Sequence, residues 1–437
     1  MAGDVPPAFH LLAKPAGAAC NLACEYCFYL DKGLLYPGSH LRMSEEVLRA
    51  YIEQLLASHQ APEVTVAWQG GEPTLMGLDF FRRSVELAER YKRPGQTVAY
   101  TLQTNGTRLD NEWCAFFKEH RFLIGLSVDG PRALHDAYRV DKGGRGSFDQ
   151  VMRGWNLLCK HNVDTNILCA VHAANAWHPL EVHRFLRDEL GARFIQYIPI
   201  VERQSPKAPS RAKRGGEGLP GRRCCLDGLT GPMVTHCSVK AEQYGSFLVD
   251  VFEEWVRHDV GKVFVQTFDA ALANWYGEPA GVCIFQETCG LALVLEHNGD
   301  LYSCDHFVEP AYRLGNILDE PMIDLLSSPR QRQFGLAKRD GLPRYCRECD
   351  VRFACHGECP RNRFLTAPGG RASGSSETGL NYLCAGYKLF FHHVDRPMRI
   401  MAELLRRHRS PAEIMRMCAA EDSRRLARGT ATVRSEP

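Results

Sequence analysis

The stretch "HLLAKPAGAACNLACEYCFY" carries Cys20, Cys24 and Cys27 in C-x3-C-x2-C spacing, with Tyr26, Phe28 and Tyr29 beside the last cysteine. A structural zinc ion takes four protein ligands, and so does a conventional iron–sulfur cluster. The next cysteine, Cys114, lies far along the chain in a helix-like segment. Three thiolates on a [4Fe–4S] cluster leave one iron open to chelate a second molecule, which converts an electron carrier into a site of chemistry. Three inert core thiols would account neither for this spacing nor for its place in a loop after the first β-rich run.

A second set follows: Cys283, Cys289, Cys304, Cys346, Cys349, Cys355, Cys359 and Cys384. They read C-x5-C-x9-G-x4-C, with Gly299 as the glycine, then C-x2-C-x5-C-x3-C and a distant last cysteine. Eight ligands make two sets of four, enough for two closed iron–sulfur clusters or, equally legal for a four-cysteine site, two zinc ribbons. Spacing alone does not choose which four belong together.

The chain around these residues has 437 residues, 45% apolar and 24% charged, with a formal charge of +2. It is long enough for more than one core, and its charge makes no case for nucleic acid or an anionic membrane as partner. The opening "MAGDVPPAFHLL" has no basic segment followed by an apolar one, and no run reaches membrane-spanning length. A cytoplasmic location is expected, where thiols stay reduced, so 18 cysteines point to metal or catalysis rather than disulfides. Seven cysteines, at 114, 159, 169, 224, 225, 237 and 418, fall outside both sets, and most of them read as inert core or loop thiols.

Six β-rich runs, "FHLLA", "EVTVAWQ", "TVAYTLQ", "FLIGLSV", "TNILCAV" and "RFIQYIPI", alternate with amphipathic segments up to about residue 200. In "SEEVLRAYIEQLLASH" the apolar residues Val47, Leu48, Tyr51, Ile52, Leu55 and Leu56 make one helical stripe, with Ser44 as N-cap. Gly191 is a helix stop after "HPLEVHRFLRDEL". The βα repeat predicts an α/β fold with a parallel sheet, a partial (β/α)6 TIM-like barrel whose site lies at the carboxyl ends of its strands. The expected domains are a barrel over 9–258 with a Gly/Pro/Arg-rich surface insertion at 202–235, a cysteine-rich domain over 280–390, and a helical tail over 391–437, frayed at its end.

The C-x3-C-x-aromatic-C run of Cys20, Cys24, Tyr26 and Cys27 resembles the signature of the radical S-adenosylmethionine (SAM) superfamily. "QGGEP" (Gly70, Gly71, Glu72, Pro73) after the second predicted strand and "SVDGPRALHDAYR" after the fourth carry the resemblance further. It implies that Tyr26, Gly70, Gly71, Glu72, Ser127 and Arg139 bind SAM, with Ser127 at its ribose or carboxylate end and Arg139 on the carboxylate. The later cysteines resemble the SPASM extension of this superfamily. That implies two closed [4Fe–4S] clusters, one on Cys283, Cys289, Cys304 and Cys359, the other on Cys346, Cys349, Cys355 and Cys384, three clusters in all.

From about residue 9 to 390, "FYLDK", "WQGGEPTL", "LQTNGT", "SVDGP", "HDAYR" and "SCDHF" make the chain most similar to the anaerobic sulfatase-maturating enzymes. The resemblance implies oxidation of a cysteine or serine in a sulfatase C/S-x-P-x-R segment to Cα-formylglycine. Asp305, next to Cys304, would be the catalytic base, with Tyr29 and Gln69 in the substrate pocket. Partners would be an unfolded or nascent sulfatase chain and a low-potential electron donor such as flavodoxin or ferredoxin. Two other readings stand beside it: a SPASM maturase that crosslinks a ribosomally made peptide, and a non-catalytic zinc-ribbon scaffold.

Overall fold

The computed structural model describes residues 6, 8–203, 233–368 and 377–432, with 425–432 as backbone only. Apart from its edges, the expected insertion at 202–235 lies outside the described residues, and so do Cys224 and Cys225. All six β-rich runs are strands: β1 (His10–Lys14), β2 (Glu63–Trp68), β3 (Thr97–Thr104), β4 (Phe122–Ser127), β5 (Asp164–Val171) and β6 (Phe194–Pro199). A short β7 (Phe264–Val265) follows. Each strand runs parallel to the next in chain order, as helical crossovers dictate.

The crossovers are α1 (Glu45–Ser58), α2 (Leu78–Tyr91), α3 (Asn111–Glu119), a one-turn α4 (Arg132–His135), α5 (Phe148–Lys160) and α6 (Pro179–Arg184). In α1 the expected stripe is the buried one, and Ser44 Oγ accepts the Val47 N–H at 3.2 Å. Gly191, at φ +67°, closes the helix begun by α6, whose last turn widens to a π-helical one over Phe185–Glu189. Then come α7 (Ala241–His258) and α8 (Gln266–Tyr276).

Two features differ from the expected division into modules. The cysteine-rich part opens with β8 (Ala292–Glu296), β9 (Asp300–Tyr302) and β10 (Arg313–Asn316), and β8 lies parallel to β1 with Glu296 in register with Lys14. One ten-stranded sheet results, in the order β10-β9-β8-β1-β2-β3-β4-β5-β6-β7, open between its two edge strands. A separate two-stranded sheet pairs β11 (Arg363–Thr366) with β12 (Thr378–Asn381).

Second, the tail does not begin at 391, because one helix runs unbroken over Cys384–Arg406. Its stripe of Tyr387, Phe390, Phe391, Val394, Met398 and Met401 belongs to the same core as Phe247, Val251 and Phe252 of α7. The two helices meet where Gly245 faces Gly386: a Cβ on Gly386 would lie 2.0 Å from the Ala241 carbonyl oxygen. An apolar stripe needs a partner, so the cysteine-rich part is built onto the barrel along this helix as well as through β8.

Candidate active site

The cysteine loop begins where β1 ends, and backbone bonds hold it on both sides. Ala23 N–H donates to the Val140 carbonyl at 2.8 Å and Glu25 N–H to that of Tyr138 at 3.0 Å. On the other side Asn105 Nδ2 donates to Asn21 Oδ1 at 3.0 Å, and Asn21 Nδ2 to Thr107 Oγ1 at 2.8 Å. Burial pushes the Cys20 thiol up to about 12 and the Cys24 thiol up to about 11. Bare thiols here are protonated, and a strongly cationic centre is needed to hold them as thiolates.

The other eight cysteines fall into two groups. Burial pushes Cys304 up to about 12, with Cys283 and Cys289 adding to it, while burial, then Glu358, and after them Cys304 and Cys283 raise Cys359. Cys346, Cys349, Cys355 and Cys384 line one cavity together. The structure thus brings together the two interlaced sets. A tetrahedral zinc with ~2.3 Å bonds holds its sulfurs ~3.8 Å apart. Among the described residues, the only ligand-type trio whose ligand atoms all lie within 4.8 Å of one another is Glu25, His236 and Cys237. No cysteine set draws in that far, which suits a four-iron cube with one thiolate per corner rather than a single ion and argues against zinc ribbons.

Two cations, buried Lys338 and half-buried Arg363, stand against the later sets. Lys338 Nζ donates to the Ile284 carbonyl at 2.9 Å and also to that of Cys283. Arg363 donates through Nε to Gly357 O at 2.9 Å and through Nη2 to His356 O at 3.0 Å, beside the segment that carries Cys355 and Cys359.

At the carboxyl end of β4 a buried network joins the cysteine loop to the barrel. Tyr26 Oη donates to Asp129 Oδ2 at 2.5 Å, and Arg139 Nη1 donates to Tyr26 Oη at 2.8 Å. His172 Nε2 stands 3.7 Å from the same Asp129 oxygen, and Ala170 N–H donates to Oδ1 at 3.0 Å. Burial would raise the Asp129 carboxyl, but Arg139 and His172 hold it far below the usual range. Arg139 Nε is buried without a partner, so its guanidinium keeps an unspent donor. Ser127, at the end of β4, accepts from Gln103 Nε2 at 3.0 Å.

"QGGEP" does something other than a bare ligand-facing turn. A Cβ on Gly71 would sit 2.0 Å from the Ala19 carbonyl oxygen, and Gly70 has φ +136° with its Cβ position 3.0 Å from Gly17 O. The close backbone approach is therefore to the loop that leads into Cys20. Both oxygens of the fully buried Glu72 are used within the fold. Oε1 accepts from Thr74 N–H (3.0 Å), Thr74 Oγ1 (2.7 Å) and Thr104 Oγ1 (2.8 Å), and Oε2 from Asn105 N–H (2.8 Å). Glu72 ties β2 to β3 under the cysteine loop. Gln69, half-buried, donates its backbone N–H to Ala13 O at 2.9 Å.

Asp305 follows Cys304 directly and forms an ion pair with Lys14 Nζ. The same Nζ lies 3.7 Å from the centroid of the Tyr29 ring, and Tyr29 Oη donates to Glu296 Oε1. Burial would raise the Asp305 carboxyl, but Lys14 above all, then His306, hold it below its ordinary value. His306 Nδ1 lies 3.4 Å from Cys359 Sγ. Tyr29 and Asp305 are thus in one cluster, with Tyr29's hydroxyl already spent on Glu296. Sequence reasoning did not single out Lys14, Glu296, Asp129 or His172. The first two left a signal: each is a charged residue closing an otherwise apolar run, "HLLAK" and "LALVLE".

The comparisons with known proteins agree with this geometry. Residues 15–186 match the model of the radical SAM superfamily, and residues 283–350 match that of the iron–sulfur cluster-binding SPASM domain. The chain is 44% identical to a serine-type anaerobic sulfatase-maturating enzyme of Bacteroides thetaiotaomicron, over 93% of this chain and 94% of the relative. It is 31% identical to a cysteine-type enzyme of Clostridium perfringens, over 89% of this chain and 96% of the relative. The solved structure of native anSMEcpe with bound AdoMet and Cp18Cys peptide superposes with a TM-score of 0.76 at 30% identity, covering 91% of this chain and all of that one.

Proposed function

Because the chain belongs to the family of anaerobic sulfatase-maturating enzymes, we propose that it oxidises the Cβ of a serine in a sulfatase C/S-x-P-x-R segment to Cα-formylglycine. Serine is preferred to cysteine because the relative at 44% identity is serine-type and the one at 31% is cysteine-type. The observation that carries the reading is Asp305: a carboxylate kept ionised by Lys14, immediately after Cys304, at the carboxyl end of β1.

Cys20, Cys24 and Cys27 would hold an open [4Fe–4S] cluster, and the two later cysteine sets would hold one closed cluster each. When bound, these clusters and SAM supply a carbon radical that removes a hydrogen atom from the substrate Cβ, and a sink for one electron. The chain's own part is acid–base and positional. Asp305 accepts the hydroxyl proton of the oxidised serine, and Lys14 keeps that carboxylate ready for it. Placing the base one residue from a cluster ligand lets proton and electron leave on the same side of the substrate. Arg139, with its free Nε, and Ser127 would bind the charged end of SAM. Glu72, Gly70 and Gly71 would act one step back, by holding the loop that carries Cys20, and Tyr26 by orienting Arg139. Tyr29 and Gln69 would border the substrate. A flavodoxin- or ferredoxin-like donor would supply electrons.

The test is anaerobic incubation of the reconstituted enzyme with SAM, reductant and paired Ser and Cys peptides. Loss of two hydrogens and an aldehyde-reactive group on the Ser peptide are expected. An unmodified peptide in the presence of intact clusters rejects the reading.

A further inference from the structure

TIM-barrel interiors are ordinarily filled with side chains, but this one is open. On the inward-facing register of β4, β6 and β7, Leu123, Phe194, Ile198 and Phe264 remain 38%, 49%, 37% and 41% exposed. At the amino-terminal end of these strands, opposite the cysteine loop, the lumen widens into a cavity of about 470 Å³ lined by Leu123, Asn166, Phe194, Phe264 and Asp269 among others. The Phe194 and Phe264 rings stack there at 5.1 Å and 11°.

Two polar groups in this cavity are acceptors without donors. Among the described residues the Asp269 side chain makes no hydrogen bond or ion pair, and Asn166 Oδ1 is buried without a partner. Burial alone pushes the Asp269 carboxyl up to about 7, with no charged neighbour acting on it. A guanidinium, all donors and no acceptor, planar and able to stack on aromatic faces, complements such a set.

We propose that Asp269, Asn166 and the Phe194–Phe264 pair form a subsite for the arginine of the substrate segment, which lies extended along the lumen with its reacting residue at the cysteine end. This rests on the function proposed above, in which the arginine stands four residues after the oxidised one. The lengths agree. From Ser127 down to Leu123 is four residues of β4, about 13 Å, and four residues of extended peptide span about the same.

The experiment compares a Ser peptide with its Arg→Leu counterpart on native enzyme, on Asp269→Asn and on Phe264→Ala, whose side chain is exposed and whose truncation opens no cavity in a closed core. Both steady-state kinetics and equilibrium binding of the labelled peptides are read. Native enzyme should favour the arginine peptide about 10–100-fold in kcat/KM, mostly through KM, the range of a charged hydrogen-bonded contact. On Asp269→Asn the two peptides should converge to within about threefold, and Phe264→Ala should narrow the gap. An Asp269→Asn enzyme that keeps full discrimination overturns the subsite. If native enzyme forms no aldehyde, the proposed function falls, while the binding contrast still decides the subsite.

Discussion

Lys14, the last residue of β1, and Asp305, the first after Cys304, form an ion pair in which the lysine is 1% exposed. Two parts of the chain almost three hundred residues apart meet in this contact, because β8 lies beside β1. Burial acting alone would raise the Asp305 carboxyl, and Lys14 reverses the sign. A lowered pKa keeps the carboxylate ionised down to the ordinary range near ~4, so its favourable contribution is present above that range and is lost only as pH falls through the lower folded value. The acid limb of kcat/KM for aldehyde formation should therefore lie below the ordinary carboxylate range. In Lys14→Met burial, then opposed only by His306 and Arg361, should move that limb upward and lower the rate at acid pH. A pH–rate profile whose acid limb is the same in both proteins would count against Asp305 as base.

Asp129 anchors Arg139 through Tyr26, and all three side chains are buried. Asp129→Asn keeps the shape but leaves Arg139 without its anion, a loss of about 3–5 kcal/mol of stability for a broken buried pair. Tyr26→Phe removes only the bridging hydroxyl and should cost about 1–3 kcal/mol. Anaerobic thermal unfolding checks the order. SAM titration should show weaker binding in both variants, because the guanidinium is no longer oriented.

The strands and helices of the barrel were legible because each carries its own period: alternation or an apolar run in β1 to β6, the i, i+1, i+4, i+5 stripe in α1. Spacing marked out the two cysteine sets but not their grouping, which the cavity shared by Cys346, Cys349, Cys355 and Cys384 shows. What could not be read was long-range. "LALVLE" has the pattern of a strand, yet nothing local says that it will lie beside β1 and bring Glu296 and Asp305 to Lys14. Glu72 illustrates a second limit. Its motif pointed to a ligand, whereas only coordinates reveal that Thr74, Thr104 and Asn105 already occupy both oxygens. Likewise Gly386 reads as an ordinary small residue until α7 is seen pressed against it.

Gly71 offers a test of how the cysteine loop is held. Its added Cβ in Gly71→Ala would overlap the Ala19 carbonyl oxygen, which is backbone and cannot rotate away. The loop before Cys20 must shift, while the later sets, carried on other segments, are untouched. If each of the three cysteine sets holds one cluster, reconstituted Gly71→Ala should lose about four of about twelve irons, together with the spectral response to added SAM. Glu72→Gln should do less, about 1–3 kcal/mol of stability, since only the bond from Asn105 N–H to Oε2 is denied an acceptor. Full iron content and an unaltered SAM response in Gly71→Ala would show that the loop is positioned by something else.

The grouping of the later cysteines makes a prediction that iron counting can decide. Cys346 and Cys384 line one cavity, although the second lies at the start of the helix Cys384–Arg406 and the first in a turn far upstream. Cys359, close in sequence to Cys355, instead faces Cys304 and Cys283. If each set holds one cluster, Cys346→Ala and Cys384→Ala should each lose the same four or so irons, and the double variant no more than either. Cys359→Ala combined with Cys384→Ala should lose about twice as many. Sequential pairing, with Cys346, Cys349, Cys355 and Cys359 on one cluster, differs in one variant only: the second double variant would still destroy two clusters, but Cys346→Ala with Cys384→Ala would do so too. Additive losses in that last pair would therefore reject the interlaced arrangement, and with it the placement of Asp305 beside a cluster closed by Cys359.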